Sequence, residues 1–138
     1  LSGASQSCGC LRKEMVGEKC PYWKGYKELS GSYWRQIIHS ATRRHLSFSL
    51  TIDYAFSLLV SQQYKCALTG VPLSLNRKER TASLDRIDST AGYIEGNVQW
   101  VHKAVNKMKQ EFPEQAFFEW CCLVCHHRGQ KNANCKAV

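Results

Sequence analysis

The chain has 138 residues, of which 43% are apolar, and carries a formal net charge of +8. This length fits one domain with a small appendage, and the apolar content excludes wholesale disorder. The cationic surplus favours a polyanionic partner, because each Lys or Arg that neutralises a phosphate releases a condensed counterion; a merely basic surface is the alternative.

Membrane and export segments are not expected. No apolar run approaches the roughly 20 residues that cross a bilayer. No basic stretch followed by an apolar one opens the chain. We therefore predict a cytoplasmic protein without a membrane partner. The chain opens on Leu1 rather than Met, which is typical of a processed or truncated product.

The first half predicts an irregular start followed by two helices. Residues 1–29 show no periodicity. Ser30-Gly31-Ser32 is typical of a helix cap, and apolar residues follow at helical spacing. Residues 46–50 alternate and predict a short strand. Thr51 is predicted to cap a second helix that ends near Gln63.

The second half predicts a strand, loop, strand and helix, and hence an α+β fold. In chain order we expect a turn with a short strand (66–73), a charged loop (76–80), a strand (81–87), a loop (88–96), a strand (98–100) and a helix (101–112). Pro113 suits the first turn of a last helix. The buried face of that helix is expected to hold Phe117, Phe118, Cys121, Cys122 and Val124.

Two oxygen-bearing side chains in this half can hold a divalent cation. Asp85 lies on the predicted strand and Asn106 on the following helix, where it shares a face with Lys109. Phosphodiester hydrolysis uses such a cation to neutralise charge, and Mg²⁺ accepts a carboxylate and an amide while keeping waters. In the alternative, Asp85 pairs with Arg86 or a lysine, and the asparagines have only structural roles.

Three segments together resemble the ββα-metal core of HNH nucleases, in a subgroup common among phage-type proteins. They read Leu84-Asp-Arg-Ile-Asp-Ser, Gly92-Tyr-Ile-Glu-Gly-Asn-Val-Gln-Trp-Val-His and Asn106-Lys-Met-Lys109. The likeness covers about residues 22–125. It implies a ββα-metal hairpin and helix packed with additional flanking helices, in a nuclease domain of residues 22–127. Residues 1–21 would form a separate N-terminal segment, and 128–138 a polar tail.

The resemblance implies a metal-dependent endonuclease that cuts double-stranded DNA with Mg²⁺ or Mn²⁺, in a bacterial or phage context. Asp85 and Asn106 would ligate the metal, and Asn97 would brace the loop through hydrogen bonds. We expect five cationic side chains to bind the nucleic acid: Arg43, Arg44, Lys103, Lys107 and Lys109.

Arg86 stands where the family usually has the histidine that acts as general base. A guanidinium stays protonated and cannot take a proton, although it can steady phosphate charge. His102 is our first choice of base, because it lies one helical turn before Asn106. Four other groups remain open for that role: His39, His45, Tyr54 and Tyr93.

The eight cysteines favour zinc or reduced thiols over a disulfide scaffold. An irregular zinc site could combine Cys66, His102, Cys122 and Cys125. That site competes with the role of His102 as base, because a metal-bound imidazole cannot also take a proton. In the alternative, Cys66 is a small buried apolar group. Cys8 and Cys10 resemble half of a zinc ribbon.

Two other functional classes compete with the endonuclease. A non-catalytic DNA-binding or accessory protein would keep the fold and lack the base, as Arg86 suggests. A zinc-stabilised interaction module would not need the basic charge. An endonuclease of this kind could act as a monomer, which nicks one strand, or as a homodimer.

Overall fold

Residues 24–128 of this computed structural model form a mixed α+β fold. The predicted N-terminal segment with Cys8 and Cys10, and all of the predicted tail except Arg128, lie outside the described residues. Within that range the elements are β1 (Gly25–Tyr26), β2 (Leu29–Ser30), α1 (Gly31–Arg43), α2 (Ile52–Ser61), β3 (Ala82–Arg86), β4 (Val98–His102), α3 (Lys103–Lys109) and α4 (Glu114–His127).

Side-chain caps begin the first two helices, as the sequence predicted. The Ser30 hydroxyl accepts a hydrogen bond from the Tyr33 backbone N–H at 3.4 Å, at the start of α1. The Thr51 hydroxyl accepts one from the Tyr54 N–H at 3.2 Å, at the start of α2. Each bond satisfies a backbone donor that the helix itself leaves without a partner.

In the antiparallel hairpin of β3 and β4, β4 extends two residues further than expected, whereas β3 is one residue shorter at each end. Leu84 lies opposite Trp100 and Asp85 opposite Gln99, and the pairing continues to Ala82 opposite His102. Because the strand keeps its ladder to His102, α3 begins at Lys103 rather than at Val101. The hairpin runs directly into α3, so strand and helix residues are held close to each other.

Three other expectations about strands were wrong. Residues 66–73 contain the expected turn but no strand, and only Pro72 makes a bridge, to Lys65. Residues 46–50 form no strand; Phe48 makes a single bridge to Tyr93, because the neighbouring partner is a loop and not a strand. The segment expected to be irregular contains the small hairpin of β1 and β2, which Gly25 permits through its φ of +112°.

The core lies between α1, α2 and the β3–β4 hairpin. Trp34, Leu59 and Trp100 are fully buried there, and the Trp100 indole N–H donates to the Ala55 carbonyl at 2.7 Å. The bond satisfies a polar group that burial would otherwise leave at a cost.

Helix α4 contributes no buried residue, so the expectation that one of its faces is buried was wrong. Phe118 is 38% exposed and Val124 is 61% exposed. The remaining members of that face are at least partly accessible.

Among residues 24–128, none of the helices combines the length and apolar character that crossing a bilayer requires.

Candidate functional site

A cleft of about 640 Å³ lies between α1, β3 and α3, and we call it the central cleft. Helix α1 contributes Gln36, His39, Ser40 and Arg43 to its lining, and the residue that caps its C-terminus, Arg44, lines it as well. All five residues of β3, including Asp85, and Asn106 on α3 line the same cleft. The hairpin and helix therefore bring together the two predicted metal ligands, which are far apart in sequence.

The lining of the central cleft is strongly cationic. Among the described residues it holds one carboxylate, that of Asp85, and five cationic side chains: Arg43, Arg44, Arg80, Arg86 and Lys103. Charges of one sign on concave, low-dielectric walls focus their field and concentrate oppositely charged ligands. The cleft thus suits an anion with several charges.

Two side chains hold the Asp85 carboxylate in place. Lys109 Nζ lies 3.2 Å from Oδ2 and 3.3 Å from Oδ1, so one ammonium spans both oxygens. The Gln99 amide N–H donates to Oδ2 at 3.2 Å and to Glu114 Oε2 at 2.6 Å. Asp85 is 4% exposed and its orientation is fixed before any ligand arrives.

Lys109 was expected to bind phosphate, and that expectation was wrong. Its side chain is fully buried, and Nζ also donates to the Arg86 carbonyl at 2.9 Å. An ammonium buried among apolar groups needs such partners, and Asp85 supplies the countercharge. The alternative in which Asp85 pairs with a lysine is therefore observed, and a metal at Asp85 has to share the carboxylate with Lys109.

Asn106 faces β3 from the first turns of α3. Its amide N–H donates to the Ser83 hydroxyl at 2.8 Å, with a second, long approach of 3.5 Å to the Leu84 carbonyl. This assignment leaves the amide oxygen as the atom that can serve a cation. Lys109 follows three residues later on the same helix face, as predicted.

The oxygen donors of Asp85 and Asn106 fit a hard divalent cation. Carboxylate and amide oxygens are the ligands that Mg²⁺ and Mn²⁺ accept, with water or phosphate completing the shell. Hydrogen bonds from Gln99 and Lys109 are the kind of outer contacts that orient a ligating carboxylate. The Lys109 charge offsets that of Asp85, so a weakly held cation is expected without an added anion.

Asn97 braces the loop between β3 and β4, as predicted. Its amide oxygen accepts from the Asp88 backbone N–H at 2.9 Å. Its amide N–H groups donate to the carbonyls of Asp88 at 3.0 Å and Gly92 at 2.9 Å. One side chain thus closes the loop at three backbone atoms.

Arg86 serves the same loop. Its Nη1 donates to the carbonyls of Ser89 at 2.6 Å and Ala91 at 2.8 Å, and the guanidinium lies 5.7 Å from the centre of the Tyr93 ring. The residue is 4% exposed yet lines the central cleft. Its first role is to fix the loop, which leaves only part of the guanidinium for a ligand.

His102 has a structural role in place of the predicted one. Its Nδ1 accepts from the Ala104 N–H at 3.2 Å and so caps α3, and His102 does not line the central cleft.

The four other candidate bases include His39, which lines the central cleft on α1. The Tyr54 hydroxyl accepts from the Gly96 N–H at 3.0 Å, and the Tyr93 hydroxyl accepts from Arg44 at 2.9 Å. His45 is exposed and lies outside the cleft lining.

The four expected zinc ligands are not brought together. No group of three or more His, Cys, Asp or Glu side chains in the described part of the chain is placed to hold a metal. Cys66 is buried, and its sulfur accepts from the His102 backbone N–H at 3.2 Å. Cys122 and Cys125 lie on α4.

Hydrogen bonds stabilise the Cys66 sulfur. Burial raises the pKa of this thiol, but bonds from the Thr69 side chain and from the backbones of His102, Leu68 and Thr69 outweigh it and lower the pKa.

The sequence reasoning missed the role of α1 in the cleft. Gln36, His39 and Arg43 recur every three or four residues and share a helix face, with Ser40 and Arg44 beside them. Trp34, Ile37 and Ala41 are buried on the other side. This polar stripe was visible in the sequence, but only His39 and the two arginines were considered, each by itself and not as one helix face.

The chain is similar to an uncharacterized 29.0 kDa protein in the dda-modA intergenic region of Enterobacteria phage T4. The two are 34% identical over 94 residues, which is 68% of this chain and 37% of the phage protein. This chain thus spans little more than a third of that relative's length. No protein-family model matches the chain, and no solved structure does.

Proposed function

We propose that this protein is a metal-dependent endonuclease that hydrolyses phosphodiester bonds of DNA, with an HNH-type ββα-metal arrangement of β3, β4 and α3. The observation that supports it most is the shared position of Asp85 and Asn106 in the cationic central cleft. Similarity to a phage protein agrees with the phage context that the sequence resemblance implies.

Each residue of the cleft has a distinct part in this proposal. Arg43, Arg44 and Lys103 bind the phosphates on either side of the cleaved bond. Asp85 and Asn106 would hold Mg²⁺ or Mn²⁺, which supplies charge neutralisation at the phosphate being cleaved. Lys109 and Gln99 keep the Asp85 carboxylate oriented, so little rearrangement is needed when the substrate binds.

We assign the proton acceptor for the attacking water to His39. A neutral imidazole can take a proton, whereas the Arg86 guanidinium cannot. Among the described histidines, His39 is the one that lines the central cleft. His102 is occupied as the cap of α3.

Nicking of supercoiled plasmid with Mg²⁺ or Mn²⁺ tests this function. Asp85→Asn and Asn106→Ala should each lower the rate by at least about a hundredfold, because each removes a proposed ligand of the metal. The metal assignment is wrong if both folded variants cut as fast as the unchanged protein.

A second pair of variants tests the base. His39→Gln should lower the nicking rate by roughly a hundredfold, the usual contribution of a positioned base. His102→Gln is the matched control: it should cost some helix stability through its lost cap and leave the rate near that of the unchanged protein. Equal losses in both variants, or a loss in His102→Gln alone, would remove His39 from the mechanism.

A non-catalytic DNA-binding protein is the second candidate. The buried ion pair between Lys109 and Asp85 favours it, because the carboxylate already has a countercharge. Arg86 at the usual place of the base favours it as well. This function predicts a salt-dependent shift of DNA mobility with no nicking in either metal.

A further inference from the structure

A second cavity of about 880 Å³ lies next to the central cleft, beside the loop of residues 74–80. We call it the 74–80 cavity. The two share Tyr33, Gln36 and Arg80 in their walls. The 74–80 cavity adds the cationic Arg77, with Asn76 and Tyr64. On its other side the central cleft adjoins a cavity of about 670 Å³ that Lys103 and Lys107 line.

Arg80 is held where the two cavities meet. Its guanidinium carbon lies 3.9 Å from the centre of the Tyr33 ring, within the range of a cation–π contact. The Tyr33 hydroxyl donates to the Ala82 carbonyl at 2.7 Å, which fixes the ring against β3. A guanidinium ordered in advance loses less entropy when it binds a phosphate.

The loop that carries Arg77 is closed at its base. The Ser74 N–H donates to the Thr81 hydroxyl at 2.9 Å, and the Thr81 N–H donates to the Ser74 carbonyl at 3.0 Å. Within the loop, the Asn76 amide oxygen accepts from the Lys78 N–H at 3.1 Å. These bonds fix the conformation of the loop that carries the exposed Arg77.

We propose that the 74–80 cavity is a second DNA subsite, which binds backbone phosphates of the duplex beyond the phosphate cleaved in the central cleft. The inference rests on the proposed function. Cationic side chains in three neighbouring cavities that share wall residues suit a polyanion better than a single phosphate, although Glu111 also lines the cavity of Lys103 and Lys107. Glu28 also lines the 74–80 cavity and disfavours phosphate on its side, so the backbone passes along Arg77 and Arg80.

The salt dependence of DNA binding tests this subsite. Binding of a duplex of about 30 base pairs is measured by fluorescence anisotropy between about 50 and 200 mM KCl. Arg77→Gln should reduce the slope of log K against log salt by about 0.9, and Arg77→Gln/Arg80→Gln by about 1.8. Arg128→Gln, an exposed arginine on none of the three cavities, should leave the slope unchanged.

Shortening the duplex gives an independent measurement. Shortening the duplex until it no longer reaches the 74–80 cavity should weaken binding by the unchanged protein, and hardly affect the double variant. Arg77 is exposed, so folding of the single variant is not in question.

The outcomes separate this inference from the endonuclease. Slopes in both variants equal to that of Arg128→Gln would overturn the subsite, whatever the cleavage result. A reduced slope together with a missing nicking activity in the unchanged protein would support the subsite and reject the endonuclease.

Discussion

The buried pair of Asp85 and Lys109 decides how the central cleft can hold a cation. Lys109 is fully buried and Asp85 is 4% exposed, so neither charge is solvated. A buried ion pair adds little net stability, but breaking it leaves one uncompensated charge. The same carboxylate is thus both a structural anchor of α3 and the proposed metal ligand.

Replacing Lys109 separates these two roles. In chelator, Lys109→Met should lower the free energy of unfolding by about 3–5 kcal/mol, because the Asp85 charge stays buried without a partner. Added Mg²⁺ should restore more stability to this variant than to the unchanged protein, since the cation replaces the ammonium. Urea unfolding with and without Mg²⁺ measures both effects.

Lys107→Met is the matched control, because Lys107 is exposed on the same helix. It should change the free energy of unfolding by no more than about 0.5 kcal/mol. If both variants lose equal stability, the ion pair contributes nothing. If Mg²⁺ stabilises neither Lys109→Met nor the unchanged protein, Asp85 does not bind the metal.

Tyr33 gives a prediction on pH. Burial raises its pKa from 10.0 to about 12, against the opposing charge of Arg80. A pKa higher in the folded state means that the neutral ring contributes stability that is complete below pH 10 and is lost as pH rises towards 12.

Urea unfolding at pH 9 to 12 tests this shift. The free energy of unfolding should fall by about 2–3 kcal/mol more in the unchanged protein than in Tyr33→Phe, which lacks the titrating group. Parallel pH curves for the two proteins would show that the Tyr33 phenol does not cause the loss.

Sequence reasoning found some single residues and missed others for a physical reason. Asn97 was predicted correctly as the brace of its loop, because turn and bracing bonds are local. Lys109 shares a face with Asn106 as predicted, but which way that face points depends on how α3 packs against β3. His102 caps α3 because β4 ends at this residue. Periodicity had placed the end of that strand two residues too early, so the cap was missed.

At the level of elements, the β3–β4 loop depends on close packing against the segment before α2. The Tyr93 N–H donates to the Ser47 carbonyl at 2.8 Å, and the Ser49 N–H donates to the Tyr93 carbonyl at 3.0 Å. Gly92 packs so closely on Ser47 that a Cβ would collide with its backbone. This packing holds the loop that Arg86 and Asn97 brace.

Gly92→Ala should therefore displace the loop and destabilise the fold by roughly 2 kcal/mol or more, as overpacking does. Gly70→Ala is the control: its φ of +70° carries a backbone cost of about 1 kcal/mol, but a Cβ there meets nothing within 4 Å. Thermal unfolding compares the two. A Gly92→Ala protein as stable as Gly70→Ala would show that the loop yields freely.

Local sequence signals predicted where helices begin better than they predicted which helix faces are buried. Ser30 and Thr51 identified two helix starts, because a cap acts within one turn. The apolar residues of α4 were expected to be buried, but periodicity says only that a face exists and not what covers it. The bridge of Phe48 to Tyr93 was missed because pairing to a loop leaves no alternating pattern in the partner.

At the scale of the whole molecule, part of the cationic surplus behind the net charge of +8 lies along neighbouring cavities. Cationic residues from α1, the 74–80 loop and α3 line three cavities that share wall residues, with Asp85 and Asn106 in the middle one. A polyanionic partner stays a prediction from the charge. The row of cavities could not be predicted, because it arises from packing between segments far apart in the chain.

Crystals of the protein with a DNA duplex and Mn²⁺, measured at the manganese absorption edge, test the central claim most directly. We expect an anomalous peak bonded to an Asp85 carboxylate oxygen and the Asn106 amide oxygen, with a DNA phosphate beside it. A DNA-bound structure in which Lys109 still spans both Asp85 oxygens, with no manganese at Asn106, would contradict it.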